Sequence, residues 1–270
     1  MLDDAPAGPA DGPQRTALVT GSTDGIGRRT ALALARAGHF VVVTGRTENQ
    51  GEQTCTEIRD AGGSAAFVVA DLADPGAVTD LAAAAVAAAG GRIDVLVNNA
   101  GVPYYGPTEH TSTTDFDAVI AVNLRAPFQL TGILAPEMAR RGHGIVVNMT
   151  GTSAQFGVAG LSLFGAAKAA LGSMTRSWAT EYGRFGVRVN ALELGAIRTP
   201  RADAVAHDLL TSYGEAIPAG RPGDPDEVAE VVTFLTTPAA AYIQGAVLPV
   251  DGGMLVTSPT AAPPTELPRL

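Results

Sequence analysis

Thr20-Gly21-Ser22-Thr23-Asp24-Gly25-Ile26-Gly27 is the stretch on which the reading of this chain turns. An apolar run, Thr16–Thr20, leads into it, and an amphipathic stretch near 26–37 leads out. Glycines spaced GxxxGxG between a strand and a helix suit a phosphate-binding turn. Gly21 permits the tight turn, Gly25 lets the backbone approach a pyrophosphate, and Gly27 lets the helix pack close to the sheet. The opening of the helix adds unpaired N–H donors and a favourable dipole. Ser22, Thr23 and Ile26 complete the turn as expected dinucleotide contacts. Asp24 has two readings: a carboxylate beside the adenosine end, or a cap on the helix.

The same alternation continues outward. Short apolar runs stand at Phe40–Thr44, Ala65–Val69, Ile93–Asn98, Ile145–Met149, Val187–Leu192 and Ala246–Val250. Helical stretches lie near 48–61, 75–89, 113–140, 162–183 and 225–236. The early runs are apolar throughout, as strands covered on both faces must be. Strand followed by helix implies right-handed βαβ crossovers. The expectation is an α/β protein, a Rossmann-like doubly wound parallel sheet in three layers, α/β/α. No boundary is visible between 15 and 254, so one domain is expected there.

The second strand ends in Val43-Thr44-Gly45-Arg46-Thr47. A carboxylate near this point would hold the ribose hydroxyls of NAD. Arg46 instead suits a 2′-phosphate, which favours NADP(H) and leaves NAD(H) open. Its alternative is a solvated surface arginine. Asp71 and Leu72 end the third strand where an adenine ring would lie.

The chain has 270 residues and a net charge of −9, from 18 Lys+Arg and 27 Asp+Glu. That acidity argues against a nucleic-acid surface. At 46% hydrophobic residues, the chain has ample material for a core. Cys55 is the only cysteine, which excludes an intramolecular disulfide and a cysteine-built zinc site, and four scattered histidines suggest no metal. No uninterrupted apolar run is long enough to suggest a membrane span, and the N-terminus lacks a basic-then-apolar leader, so a cytoplasmic protein is expected. Residues 1–14 and 255–270 collect Pro6, Pro9, Pro13, Pro259, Pro263, Pro264 and Pro268 and read as flexible tails.

Further motifs follow in order: Asn98-Asn99-Ala100-Gly101, Val122-Asn123-Leu124, Lys168, Gly195-Ala196-Ile197-Arg198-Thr199-Pro200 and Val250-Asp251-Gly252-Gly253. With the glycine turn and Asp71-Leu72, the chain over 16–253 resembles a classical short-chain dehydrogenase/reductase. The resemblance implies a seven-stranded parallel sheet, often a homodimer or homotetramer, and cofactor contacts from Asn99, Ala100, Gly101, Lys168, Gly195, Ile197 and Thr199. It implies catalytic roles for Asn123 and Lys168. The family's Tyr-x-x-x-Lys falls on Phe164-Gly165-Ala166-Ala167-Lys168, and its serine, thirteen residues before the tyrosine, falls on Gly151. The two groups that would touch a substrate oxygen are therefore missing, and ordinary ketone reduction is expected to be slow or absent.

Replacement groups are sought nearby. Thr150 and Thr152 flank Gly151, but strand alternation turns them away from it unless the strand ends first. Tyr104 and Tyr105 offer phenols or an aromatic wall. Glu193 stands where the family has a small residue; it reads as a base, as a partner for a cationic substrate, or as an ion-pair partner. Phe156, Leu161, Phe164, Leu194 and Tyr213 suggest a pocket for a hydrophobic small molecule, with 201–216 resembling the family's mobile lid. Three functions compete. The favoured one is hydride transfer to an imine, iminium or activated C=C or C=O. The second is a non-redox cyclase, isomerase or dehydratase, and the third is a silent nucleotide-binding subunit.

Overall fold

Four residues, Thr16–Val19, form β1, and all four side chains are buried. The other strands are β2 (Phe40–Gly45), β3 (Ser64–Val69), β4 (Val95–Asn98), β5 (Gly144–Gly151), β6 (Val187–Leu194) and β7 (Val247–Val250). They make one parallel sheet in the order β3-β2-β1-β4-β5-β6-β7. The computed structural model describes residues 14–257. The expected tails lie outside these residues apart from Gln14 and 255–257, and Met254–Val256 forms a short 3-10 turn that extends the ordered body slightly past 254.

The helices are α1 (Gly25–Arg36), α2 (Glu48–Asp60), α3 (Pro75–Ala88), α4 (Thr113–Ile120), α5 (Ala126–Arg140), α6 (Ser162–Tyr182), α7 (Pro200–Glu215) and α8 (Pro225–Thr236). Local chemistry sets several starts. The Asp24, Asp74 and Asp224 carboxylates each accept a backbone N–H, and Pro75 and Pro225 occupy the first helical position. At α8, Asp224 and Glu227 form a reciprocal capping box.

Period-2 alternation divides the strands between two cores. Val19, Val41 and Val147 pack with Leu34, Ile58 and Val232 on the face covered by α1, α2 and α8. Leu18, Val42 and Val146 pack with Leu81, Leu130 and Leu171 on the face covered by α3, α5 and α6. Full burial of β1, β4 and β5 explains their apolar sequences.

Three features depart from the sequence reading. β5 and β6 continue to Gly151 and Leu194, two residues beyond the expected ends. The lid-like segment is itself a helix, α7, begun by Thr199 as cap and Pro200. The expected 113–140 helix is continuous but contains a π-helical turn at Ala121–Arg125. Thr113–Arg140 is long and apolar enough, by length and composition alone, to cross a membrane, and 56% of its apolar window is buried inside the fold. Its second half packs on β4, β5 and α3.

β1 and β4 are neighbours from which the chain winds in opposite directions. That switch point opens a crevice at the carboxyl edge of the sheet, where ligands of doubly wound proteins sit.

Candidate active site

A cleft of about 510 Å³ opens at the carboxyl ends of β1–β4. Its floor is the glycine turn, and close contact fixes that turn. Gly21 has φ +62°, a left-handed conformation that favours glycine. A Cβ on Gly27 would lie 2.2 Å from Gly21 O and 2.4 Å from Asn99 Nδ2, so only hydrogen fits. Asn99 straps the turn to β4: its Nδ2 donates to Thr20 O at 2.8 Å and Gly21 O at 3.1 Å. Thr20 Oγ1 accepts from the N–H groups of Asn99 and Ala100 at 2.9 and 3.0 Å. The Asn99 side chain thus builds the cradle while Ala100 and Gly101 line it.

Ser22 is placed differently from the expectation. Its hydroxyl is buried, donating to Val19 O at 2.6 Å and accepting from Thr44 N, and Ser22 is not among the cleft residues. Thr23, Asp24, Gly25 and Ile26 do line the cleft. Asp24 caps α1 by accepting from Gly25 N at 2.7 Å. Arg46, Asp71 and Leu72 line the cleft beyond β2 and β3. Thr199 lines it too, and Gly25 lies against it. Gly195 and Ile197 are support. A Cβ on Gly195 would sit 2.7 Å from Asp251 Cα, and buried Ile197 pairs with Gly223 in an isolated parallel bridge.

The reacting end is organised by Asn123 and Lys168. Asn123 stands in the π-helical turn, fully buried. It grips the loop after β4 at both ends of one residue, accepting from Val102 N at 2.7 Å and donating to Val102 O at 3.0 Å. Lys168, the only lysine of the chain, projects from α6 and donates to Met149 O at 2.8 Å. Burial pushes its ammonium down to about 8. A Cβ built on Gly101 would lie 3.4 Å from Asn123 Oδ1 and 3.6 Å from Lys168 Nζ, so both groups converge beside the cleft.

Phe164 lies one turn before Lys168, its ring centroid 5.5 Å from Nζ. That ring offers the cation its π face and no exchangeable proton. Gly151 ends β5 in extended backbone, and a Cβ there would be 3.7 Å from Leu194 O and 3.9 Å from Ser153 Oγ, ordinary contacts. A side chain therefore fits at 151. The start of α6 is seated on the following turn, because a Cβ on Gly165 would meet Ser153 O at 2.6 Å.

The proposed substitutes for the missing donors are committed elsewhere. Thr150 Oγ1 donates to Leu192 O at 3.0 Å, and Thr152 Oγ1 lies 3.4 Å from Met254 Sδ. β5 remains a strand through Gly151, so alternation turns Thr150 away, whereas Thr152 opens a 3-10 turn and is occupied by its contact with Met254. Tyr104 donates to Thr111 Oγ1 at 3.0 Å and packs with Val102 and Ile120 against Leu163 and Ala167. Tyr105 is 74% exposed and leans on Gly160, where a Cβ would meet its ring at 2.9 Å.

Glu193 is buried opposite Thr150, and both its oxygens accept from Gln155 Nε2, at 3.0 and 3.3 Å. Burial raises its pKa, with the Gln155 hydrogen bond opposing and Asp251 adding to the rise. It forms no ion pair with Arg188 or Arg198, which bond to Ala240 O and Thr237 O, and to Asp203 and Thr211. Leu194 packs against the core on the α1/α8 face. Phe156 and Tyr213 are partly exposed and Leu161 is half-buried just before α6. None of these residues lines the cleft.

Sequence reasoning missed Arg201, which lines the cleft, and Gln155, which holds Glu193. Uniqueness of Lys168 among 18 basic residues was an available signal that this position is special. Nothing in local sequence marks Arg201, because its place depends on how α7 lies over the glycine turn.

Residues 21–255 match the family described as enoyl-(acyl carrier protein) reductase. The short-chain reductase protein NovJ of Streptomyces niveus is 37% identical, over 89% of this chain and 94% of its own. The 3-oxoacyl-[acyl-carrier-protein] reductase FabG of Thermotoga maritima is 32% identical, over 90% of this chain and 98% of its own. Among solved structures, a gluconate 5-dehydrogenase of Beutenbergia cavernae with bound NADP superposes with a TM-score of 0.85. It is 38% identical, covering 90% of this chain and 97% of that one. The cradle of Gly21 and Gly27, the N-terminus of α1 and the arginine beyond β2 fit such a dinucleotide. The match runs from the glycine turn to the last strand, and the chain belongs to the short-chain dehydrogenase/reductase family of NAD(P)-dependent oxidoreductases.

Proposed function

We propose that the protein is an NADP(H)-dependent reductase of a hydrophobic small molecule, working on an imine, iminium or activated C=C or C=O without a phenol acid. The carrying observation is Phe164, one helical turn before Lys168, with its ring 5.5 Å from the ammonium. The dinucleotide, when bound, supplies the hydride. Arg46 holds its 2′-phosphate, and the α1 N-terminus holds its pyrophosphate. Lys168 and Asn123 converge beside Gly101, where Lys168 binds ribose hydroxyls and Asn123 keeps the loop wall in place.

Reduction of a ketone places negative charge on oxygen and needs a proton there. An oxyanion donor is worth about 3–4 kcal/mol and a positioned acid roughly 10²–10⁴-fold. An iminium needs neither. Its carbon accepts hydride, the C=N π pair moves onto nitrogen, and the product is a neutral amine. The half-buried Phe164 ring suits a cationic, apolar partner. The curated relatives include a 3-oxoacyl reductase, a carbonyl chemistry that a phenol-free centre supports poorly.

Absorbance at 340 nm with NADPH, on matched cyclic iminiums, enones and ketones, tests the proposal. Iminium or enone reduction at least about 100-fold faster than ketone reduction is expected. Equal rates on ketones overturn it. Nucleotide binding with no oxidation of NADPH on any class favours the non-redox reading.

A further inference from the structure

Arg201 is the second residue of α7, exposed, and on the wall of the cleft next to the glycine turn. The cap that begins α7 fixes this position. Thr199 Oγ1 accepts from Ala202 N at 3.1 Å, and a Cβ on Gly25 would stand 3.3 Å from Thr199 Cγ2. The first turn of α7 therefore starts directly against the N-terminus of α1.

Charge pairing separates Arg201 from the other guanidinium groups around it. Arg28 pairs with Glu57, Arg29 with Asp226, and Arg198 with Asp203 at 3.1 Å. Among the described residues, Arg46 and Arg201 have no ion-pair partner, and both face the same cleft. The cleft wall also carries Asp24 and Asp71, whose carboxylates accept from Gly25 N and Ala73 N, and two guanidinium groups without ion-pair partners on one cleft suit a ligand anionic at two places. Arg46 follows β2. Arg201 follows Thr199, which lies against Gly25 of the glycine turn.

We propose that Arg201 binds the pyrophosphate of the dinucleotide from the α7 side and thereby ties the first turn of α7 to nucleotide occupancy. The proposal rests on the dinucleotide reading above. It divides labour between the two arginines by chemistry. Pyrophosphate is common to NADPH, NADH and ADP-ribose, whereas the 2′-phosphate belongs to NADPH alone. A guanidinium can bridge two phosphate oxygens bidentately, which lysine cannot.

The test is calorimetry of the full chain and its R201Q, R201K and R46Q variants with NADPH, NADH and ADP-ribose. Hydrogen exchange over 200–215 is followed with and without ADP-ribose. R201Q is expected to lose about 10-fold in affinity for all three ligands, with R201K recovering part of the loss. R46Q is expected to lose NADPH affinity alone. ADP-ribose slows exchange in the first turn of α7 in the wild type and not in R201Q, while unliganded R201Q keeps the wild-type Tm. R201Q that binds all three ligands as the wild type does, or that loses NADPH only, overturns the proposal and leaves the dinucleotide reading intact. A wild type that binds none of the three overturns both.

Discussion

At the ends of β1, β2 and β4, polar side chains are consumed in holding backbone: Asn99 straps the glycine turn, Thr20 takes two N–H groups, and Ser22 ties β1 to β2. At the ends of β5 and β6 the arrangement is looser. Gly151 has room for a side chain, Phe164 offers only a ring, and Glu193 is held by a single exposed glutamine. The first region is determined by contacts that admit one residue type at a position. The second has room at Gly151, where an added Cβ would meet nothing closer than 3.7 Å. One protein thus keeps a fixed nucleotide cradle beside a reaction site whose chemistry is free to change.

The two glycines give the sharpest contrast. Gly27→Ala drives a Cβ to 2.2 Å from a backbone oxygen, so the turn must open. Loss of ADP-ribose affinity by at least about 100-fold is expected, with a stability cost of about 1–3 kcal/mol from overpacking. Gly151→Ser meets nothing closer than 3.7 Å and is expected to leave both quantities unchanged. Calorimetry and thermal unfolding check the pair; similar losses in the two variants break the comparison.

Lys168 sits between the regions, and its titration reads the burial of the boundary. Its folded pKa of about 8 lies below its ordinary 10.5. Between those values the unfolded chain binds a proton that the folded chain releases, so stability rises with pH across that window. Urea unfolding of the wild type relative to K168M is expected to show a gain of up to about 3 kcal/mol from pH 8 to 10.5. Parallel pH profiles would mean that the ammonium is solvated.

Glu193 gives the smallest effect. Burial raises its pKa, so the folded chain binds a proton over a window where the unfolded chain has lost it. Its contribution to stability is present below that window and is lost as pH rises through it. E193Q removes the loss and is expected to raise Tm slightly at pH 7 with nucleotide affinity unchanged. If E193Q abolishes turnover at unchanged Tm, Glu193 is a base and the reaction site is more specialised than the contacts indicate.

The sequence revealed the nucleotide region well because its signals are local. A strand, three spaced glycines and a helix cap lie within one short segment, and each has a single conformational use. The central strands β1, β4 and β5 were legible for a similar reason: they are apolar and buried on both faces, whereas the equally apolar β3 ends on an exposed Val69. Arg201 and Gln155 were not legible, since Arg201 reaches the cleft only through the packing of α7 and Gln155 holds Glu193, distant in sequence. Asn123 stood out in the sequence as a candidate amide, but neither its π-helical turn nor its two hydrogen bonds to Val102, 21 residues away, was legible. Thr150 and Thr152 were weighed as donors because the length of β5 was uncertain. Its two extra residues, Thr150 and Gly151, decide the direction of Thr150, and the 3-10 turn that follows places Thr152.

The most direct measurement of the central contrast is ketone reduction by the F164Y/G151S double variant, followed as NADPH oxidation at 340 nm alongside ADP-ribose affinity. An intact cradle beside a centre lacking only an acid and an oxyanion donor predicts at least about 100-fold faster ketone turnover than wild type, with affinity unchanged. A wild type already as fast as the double variant on ketones would contradict it.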